Sequence, residues 1–114
     1  MATPTRLQAH RFHILLSLAD RRLHGTAIME EVLDRTDGHL RLWPAKLYGA
    51  LQQLADDGLI AEVDPPQGAP TEGGKRRFWA ITRAGKLALH EEVERLAALV
   101  RVARAKAAGR GDSA

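Results

Sequence analysis

Lys75, Arg76 and Arg77 form a run of three cations behind Gly73 and Gly74, and Arg41 and Lys46 bracket Trp43 and Pro44 upstream. Tyr48 and Gln52, four residues apart, add a phenolic hydroxyl and a primary amide. These groups carry positive charge or donate hydrogen bonds, and their shared chemistry is contact with a polyanion. Lysine, arginine and tyrosine serve phosphate oxygens, and a glutamine can bond adenine through two contacts. The residues that catalysis needs are sparse. There is no cysteine, and Ser17 and Ser113 have neither a motif nor a paired base, so no catalytic residue is expected. His10 with His13, and His90 with Glu94, share helix faces at metal-compatible spacing. Two ligands without a third are ordinarily surface groups, so no metal and no cofactor is expected. A role for the histidine pairs in pH sensing has no firmer basis.

The polar candidates need a scaffold, and the stretch from Pro44 to Ile60 supplies its centre. Leu47, Leu51 and Leu54, with Ala50 and Ala55, form one apolar helical stripe, while Ala45, Gly49, Gln52, Gln53 and Asp56 face the other way. Pro44 suits a first helical turn, and Gly58 suits a left-handed C-terminal cap. Upstream, Thr3 and Pro4 are placed to open a first helix that runs to about Asp20, nearly apolar all round near its end. Arg21 to Gly25 reads as a break. A second helix spans Thr26 to Arg35, with Ile28, Met29, Val32 and Leu33 inward and Gly38 available past its end. The second and third helices, joined by an extended turn, make a helix-turn-helix. Leu59 to Asp64 and Arg76 to Thr82 read as strands of a hairpin with a long tip rich in proline and glycine. Thr82 is the expected N-cap of a last helix.

The 114 residues suffice for one domain with a modest core. The net charge of +3 permits a nucleic-acid partner without demonstrating one. No apolar run approaches a membrane span and no secretory signal is evident, so a soluble, cytoplasmic protein with no membrane partner is expected. The fold class expected is mostly α with a small β-hairpin. Residues 1–82 are expected to form a winged helix-turn-helix DNA-binding domain, 83–108 a C-terminal dimerisation helix, and 109–114 a disordered tail.

In the last helix, Leu89, Val93, Leu96, Val100, Ala103 and Ala107 recur at spacings of 4, 3, 4, 3 and 4, the seam of a short coiled coil. A helix of that length exceeds what one small core covers, so a homodimer is expected, with Leu7, Phe12 and Leu15 of the first helix joining the interface. Glu91, Glu92 and Glu94 lie at one end and Arg101, Arg104, Lys106 and Arg110 at the other, which favours antiparallel pairing. Valine at a and leucine at d favours the parallel form, and the charge gradient also matches the helix dipole. A helix folded back on its own domain is the plainer alternative.

Placed on this frame, the basic run lies on the wing beside the third helix, where phosphates of a flanking minor groove would lie. A solvated basic turn has the same composition. Arg41 and Lys46 flank the helix start, whose free N–H groups attract anions. Gln52 is the candidate base reader, with Ala45 and Gly49 low enough for close approach.

Four short motifs carry a resemblance: His24-Gly25; Leu47-Tyr48 with Leu51 and Leu54; Asp57-Gly58-Leu59-Ile60; and Gly73 to Arg77 leading to Thr82-Arg83-Ala84-Gly85. Together, from about Ile14 to Leu89, they resemble the PadR family of bacterial transcription regulators. The resemblance implies a winged helix-turn-helix repressor, dimeric through its C-terminal helix, that releases DNA on binding a small molecule or stress signal. Thr26, at the start of the second helix, is expected among the DNA contacts. Gly49 stands where the family usually has proline, Trp43 and Trp79 replace a small residue and a tyrosine, and Thr26 replaces an aromatic. Gly49 would soften its helix by about 1 kcal/mol relative to alanine. Trp43 either wedges against a sugar-phosphate backbone or packs beneath the wing, and the second is expected, since large aromatics are more often buried than displayed. The last helix has no aromatic residue, so the flat drug-stacking pocket of some relatives is not expected.

The partners expected are therefore double-stranded operator DNA, a second copy of the chain, and a small-molecule effector of unknown identity. A pseudo-palindromic operator with half-sites about one helical turn apart suits a two-fold dimer. The alternative is a winged-helix module that binds another protein and never engages DNA, which Asp56 and Asp57 leave open. A positive stripe through Arg41, Lys46 and Lys75 to Arg77 favours DNA, whereas interruption by Glu30, Glu31 and Asp34 favours protein.

Overall fold

The computed structural model describes residues 7–68 and 76–113. Helix α1 (Ala9–Ser17) is followed by a two-residue strand β1 (Leu23–His24), α2 (Gly25–Arg35) and α3 (Pro44–Asp56). Strands β2 (Ile60–Val63) and β3 (Phe78–Ile81) then lead into α4 (Arg83–Ser113). The strands form an antiparallel sheet in the order β1-β3-β2, with Leu23 opposite Trp79 and Glu62 also opposite Trp79 on the other side. The whole is a mostly helical winged helix-turn-helix with a long C-terminal helix.

The expected punctuation sits where backbone chemistry requires it. Gly58 has φ +76°, and its N–H and that of Leu59 close the end of α3 onto the carbonyls of Ala55 and Leu54 at 3.0 and 2.9 Å. In α2 the same motif uses Asp37, at φ 51°, as the left-handed cap residue, with Gly38 beyond it donating to Leu33. Thr82 caps α4 by accepting from the Gly85 N–H at 3.0 Å, and its hydroxyl donates to the Gly58 carbonyl at 2.6 Å. One threonine thereby ties the end of α3 to the start of α4.

Ile14 and Leu15 of α1 with Leu18 at its C-cap, Ile28 and Val32 of α2, and Leu47, Leu51 and Leu54 of α3 lie at the centre of the core. Leu42, read as part of a turn, is fully buried and anchors the loop before α3.

Several expectations are corrected. The first helix ends at Ser17 rather than Asp20, and its expected opening at Thr3 and Pro4 lies outside the described residues. The break before α2 contains β1, which pairs with the free edge of β3; two residues are too few to show any alternation. Both hairpin strands are shorter than expected, and Gly73, Gly74 and Lys75 lie outside the described residues. The last helix passes Ala108 and continues to Ser113, so 109–113 is helical rather than a disordered tail. Helix propagation adds one bond per residue, enough to carry the chain through Gly109 and Gly111 after an alanine-rich run. Leu15 and Leu89 were expected at a dimer interface but are 0% and 8% exposed within one chain, so their area is already spent on the core. The apolar girth of α1 is satisfied by α2, α3 and α4.

Candidate nucleic-acid interface

The N-terminus of α2, the side of α3 and the base of the wing meet around one cleft of about 370 Å³, lined by His24, Gly25, Thr26, Tyr48, Arg76 and Arg77. Gly25 makes the meeting possible. A Cβ there would lie 3.1 Å from the Tyr48 hydroxyl oxygen, so the tyrosine ring lies directly on the first turn of α2. Four residues expected to touch DNA, Thr26, Tyr48, Arg76 and Arg77, are thus brought together from three elements.

Gly25 and His24 were not assigned to the site from the sequence, although His24-Gly25 was one of the four motifs, and of the two His24 brings a polar side chain. Its Nδ1 accepts from the Ala27 N–H at 3.3 Å and caps α2. Its Nε2 lies 3.0 Å from an Arg76 guanidinium nitrogen. With Nδ1 used as the acceptor, a neutral ring carries its proton on Nε2 and faces another donor. A phosphate oxygen accepting from both would relieve that opposition. Burial first, and then Arg76, lower the His24 pKa from its ordinary 6.5, with Glu30 opposing them.

Arg77 is differently placed. Its guanidinium makes two bonds to the Glu62 carboxylate, at 2.9 and 3.1 Å, and lies 4.9 Å from the centre of the Trp79 ring. The Glu62 hydrogen bond raises the Arg77 pKa above its ordinary value. The pair is exposed on both sides, so it contributes little to stability, but a phosphate must compete with it. Trp79 beneath is 2% exposed, and its indole N–H finds no acceptor among the described residues.

Along α3 the outer face is low. Ala45 and Gly49 are exposed, and a Cβ at Gly49 would meet nothing within 4 Å, so packing does not require glycine there. Gln52 is exposed and donates to Asp56 Oδ1 at 3.0 Å, a bond it must release to read a base. Lys46 is exposed and near enough to His10 of α1 to lower that ring's pKa, second to burial. Arg11 of α1 bonds the Gln53 side chain and lies 3.4 Å from Asp57, fixing the far end of α3.

Trp43 does not pack under the wing. It is 64% exposed at the N-cap of α3, with the Arg41 guanidinium 5.1 Å from its ring centre. The buried aromatics of the wing are its own, with Trp79 in the core cluster and Phe78 edge-on to the His24 ring.

Of the remaining histidines, His13 Nδ1 accepts from Arg35 at 3.1 Å, which removes that nitrogen from metal ligation. No group of three or more potential metal ligands occurs among the described residues. No helix among them is long and apolar enough to cross a membrane.

Residues 14–91 match the Transcriptional regulator PadR-like family. The transcriptional regulator Rv3488 of Mycobacterium tuberculosis is 34% identical over 93 residues, 82% of this chain and 80% of its own length. A PadR family regulator from Clostridium difficile superposes with a TM-score of 0.69 at 21% identity, over 83% of this chain and 94% of that one. Bacillus subtilis PadR, solved in complex with operator DNA, gives 0.63 at 22% identity, over 75% of this chain and 47% of that one. With the family match spanning most of the chain, this protein belongs to the PadR-like family of transcriptional regulators.

Proposed function

We propose that this chain is a sequence-specific DNA-binding transcriptional regulator that acts in the cytoplasm as a homodimer on a pseudo-palindromic operator. The cleft lined by Thr26, Tyr48, His24 and Arg76 carries the reading, because side chains able to donate to a phosphate come to it from three elements and His24 Nε2 lies 3.0 Å from Arg76 within it. The acid-free stretch 38–55, which holds His39, Arg41 and Lys46, supports it further. Helix α3 enters the major groove with Ala45, Gly49 and Gln52 leading, and the wing tracks the flanking phosphates. Lys75 belongs to that wing by sequence and lies outside the described residues.

Dimerisation through α4 is supported by Val93 and Val100 of the seam, which are 39% and 46% exposed in one chain. Leu7, Phe12 and Leu96, partly covered, border the same side, and Ala103 continues the seam. The regulator is a repressor released by a small molecule or stress signal. The cavity of about 270 Å³ between α1 and α4, lined by Leu7, Phe12, His13, Glu92, Arg95 and Leu96, is the place for an effector to act on the helix that sets the dimer.

Selection from random-sequence duplexes with the purified protein, followed by affinity measurement at two salt concentrations, tests the reading. A palindromic enriched site with steep salt dependence is the expected result. Weak binding indifferent to sequence would instead favour a winged-helix module for a protein partner.

A further inference from the structure

Trp43 is the most exposed of the large apolar side chains among the described residues, and its position is held rather than loose. It precedes Pro44, which restricts it to the extended backbone it adopts, at φ −65° and ψ 153°. Its carbonyl accepts the Leu47 N–H at 2.9 Å, and Leu42 before it is fully buried. The ring is therefore projected from a fixed stem, and Arg41 lies over one face of it. An indole displayed in this way costs little further ordering when it meets a partner.

The surroundings define the partner. No acidic residue occurs from Gly38 to Ala55, a stretch that carries Arg41 and Lys46 on either side of the indole. An apolar ring between cations matches a surface that alternates apolar patches with phosphates. Duplex DNA presents that alternation, as thymine methyls or deoxyribose faces beside the backbone. The N-terminal end of a recognition helix is also the end that reaches base edges.

We propose that Trp43 is a DNA-reading residue: its indole packs on an apolar patch of the operator while Arg41, stacked on it, bonds the adjacent phosphate. This rests on the DNA-binding reading, and it assigns α3 a bulky leading contact that its low outer face lacks. Sequence preference then comes from the helix start as well as from Gln52.

The experiment uses the full chain and the enriched duplex. Trp43 and Trp79 are the two tryptophans, and Arg77 of the wing lies against Trp79, so the part of the emission change on adding DNA that is lost in Trp43→Phe belongs to Trp43. Trp43→Ala is expected to weaken binding about tenfold without moving the melting temperature, since the ring is exposed. Replacing operator thymines one at a time by deoxyuridine distinguishes the two apolar patches. Loss at one position in the wild type, absent in Trp43→Ala, identifies a methyl contact. Indifference to every replacement, with the tenfold loss retained on all sequences, identifies a deoxyribose contact. Wild-type binding with an unchanged Trp43→Ala affinity overturns the proposal and leaves the DNA-binding reading standing, whatever the emission does. Failure of the wild type to enrich any duplex overturns both.

Discussion

Arg76 and Arg77 are neighbours in the basic run, yet their side chains meet opposite environments, and their contributions to DNA binding should differ accordingly. Arg76 faces the cleft beside His24, whereas Arg77 is held by the Glu62 carboxylate across the sheet. Each phosphate contact adds about 0.9 to the salt slope. With two copies in the dimer, Arg76→Ala should therefore lower the slope by about two units and weaken all sequences alike. Arg77→Ala should lower it less, because the arginine must first leave Glu62. Glu62→Gln should tighten binding several-fold by removing that competitor. Titrations of the three variants at several salt concentrations check this ordering, and equal slopes for the two arginine variants would contradict it. The basic run was readable in the sequence. The partner of Arg77 was not, because Glu62 lies fifteen positions away and only strand register brings it near.

Among the elements, the joint between the end of α3 and the start of α4 leaves no room for a side chain at Gly85. An added Cβ on Gly85 would lie 2.0 Å from the Leu59 carbonyl oxygen and 2.7 Å from Ile81 Cγ1. That same carbonyl accepts the Thr82 N–H at 3.0 Å. Gly85→Ala must push backbone against backbone, and a loss of about 3 kcal/mol is expected from the urea midpoint. The contact of α1 with α2 depends instead on protonation. Arg35 donates to His13 Nδ1, to the His13 carbonyl, to buried Ser17 at 2.9 Å and to Glu31 at 2.8 Å. Burial first, and then Arg35, lower the His13 pKa from 6.5, so the unfolded chain takes up a proton more readily than the folded one. The stability contributed by the neutral ring is complete above about pH 6.5 and is lost as pH falls through the lower folded value. His10 and His24 shift in the same direction. Melting temperature should fall from pH 7 to pH 5.5, and less steeply in His13→Gln, whose amide oxygen can accept from Arg35 without titrating. Parallel curves would remove His13 from the account. Helix limits set by local chemistry, such as Pro44, Gly58 and Thr82, were legible in the sequence. Strand β1 and buried Leu42 were not, since each takes its place from a partner distant in the chain.

At the scale of the molecule, α4 has 31 residues and a length of about 46 Å, far more than the domain covers. Its periodicity was readable from Leu89 to Ala107, but which side chains the domain itself would consume was not. Leu89 is buried in the core, whereas Val100 and Val102 stay half exposed. If α4 pairs with a second copy, Val100→Glu should convert dimers to monomers in sedimentation at micromolar concentration. It should also weaken operator binding well beyond the effect of any single phosphate contact, because two half-sites would no longer be held by one particle. A dimer that survives the glutamate would move the interface elsewhere. Orientation needs a separate test, because one of the charges that favoured antiparallel pairing is already engaged. Glu92 is 7% exposed and bonds Arg95 within its own helix, leaving Glu91 and Glu94 as the exposed acids to meet a partner's arginines. The natural chain has no cysteine, so Ala103→Cys introduces a single reporter. Parallel helices set the two copies of residue 103 side by side, where oxidation links them. Antiparallel helices set each copy toward the acidic end of the other, and the thiols should stay reduced while the dimer persists. A disulfide-linked dimer would reverse the orientation argued from charge, and the valine and leucine pattern of the seam would then be the stronger signal.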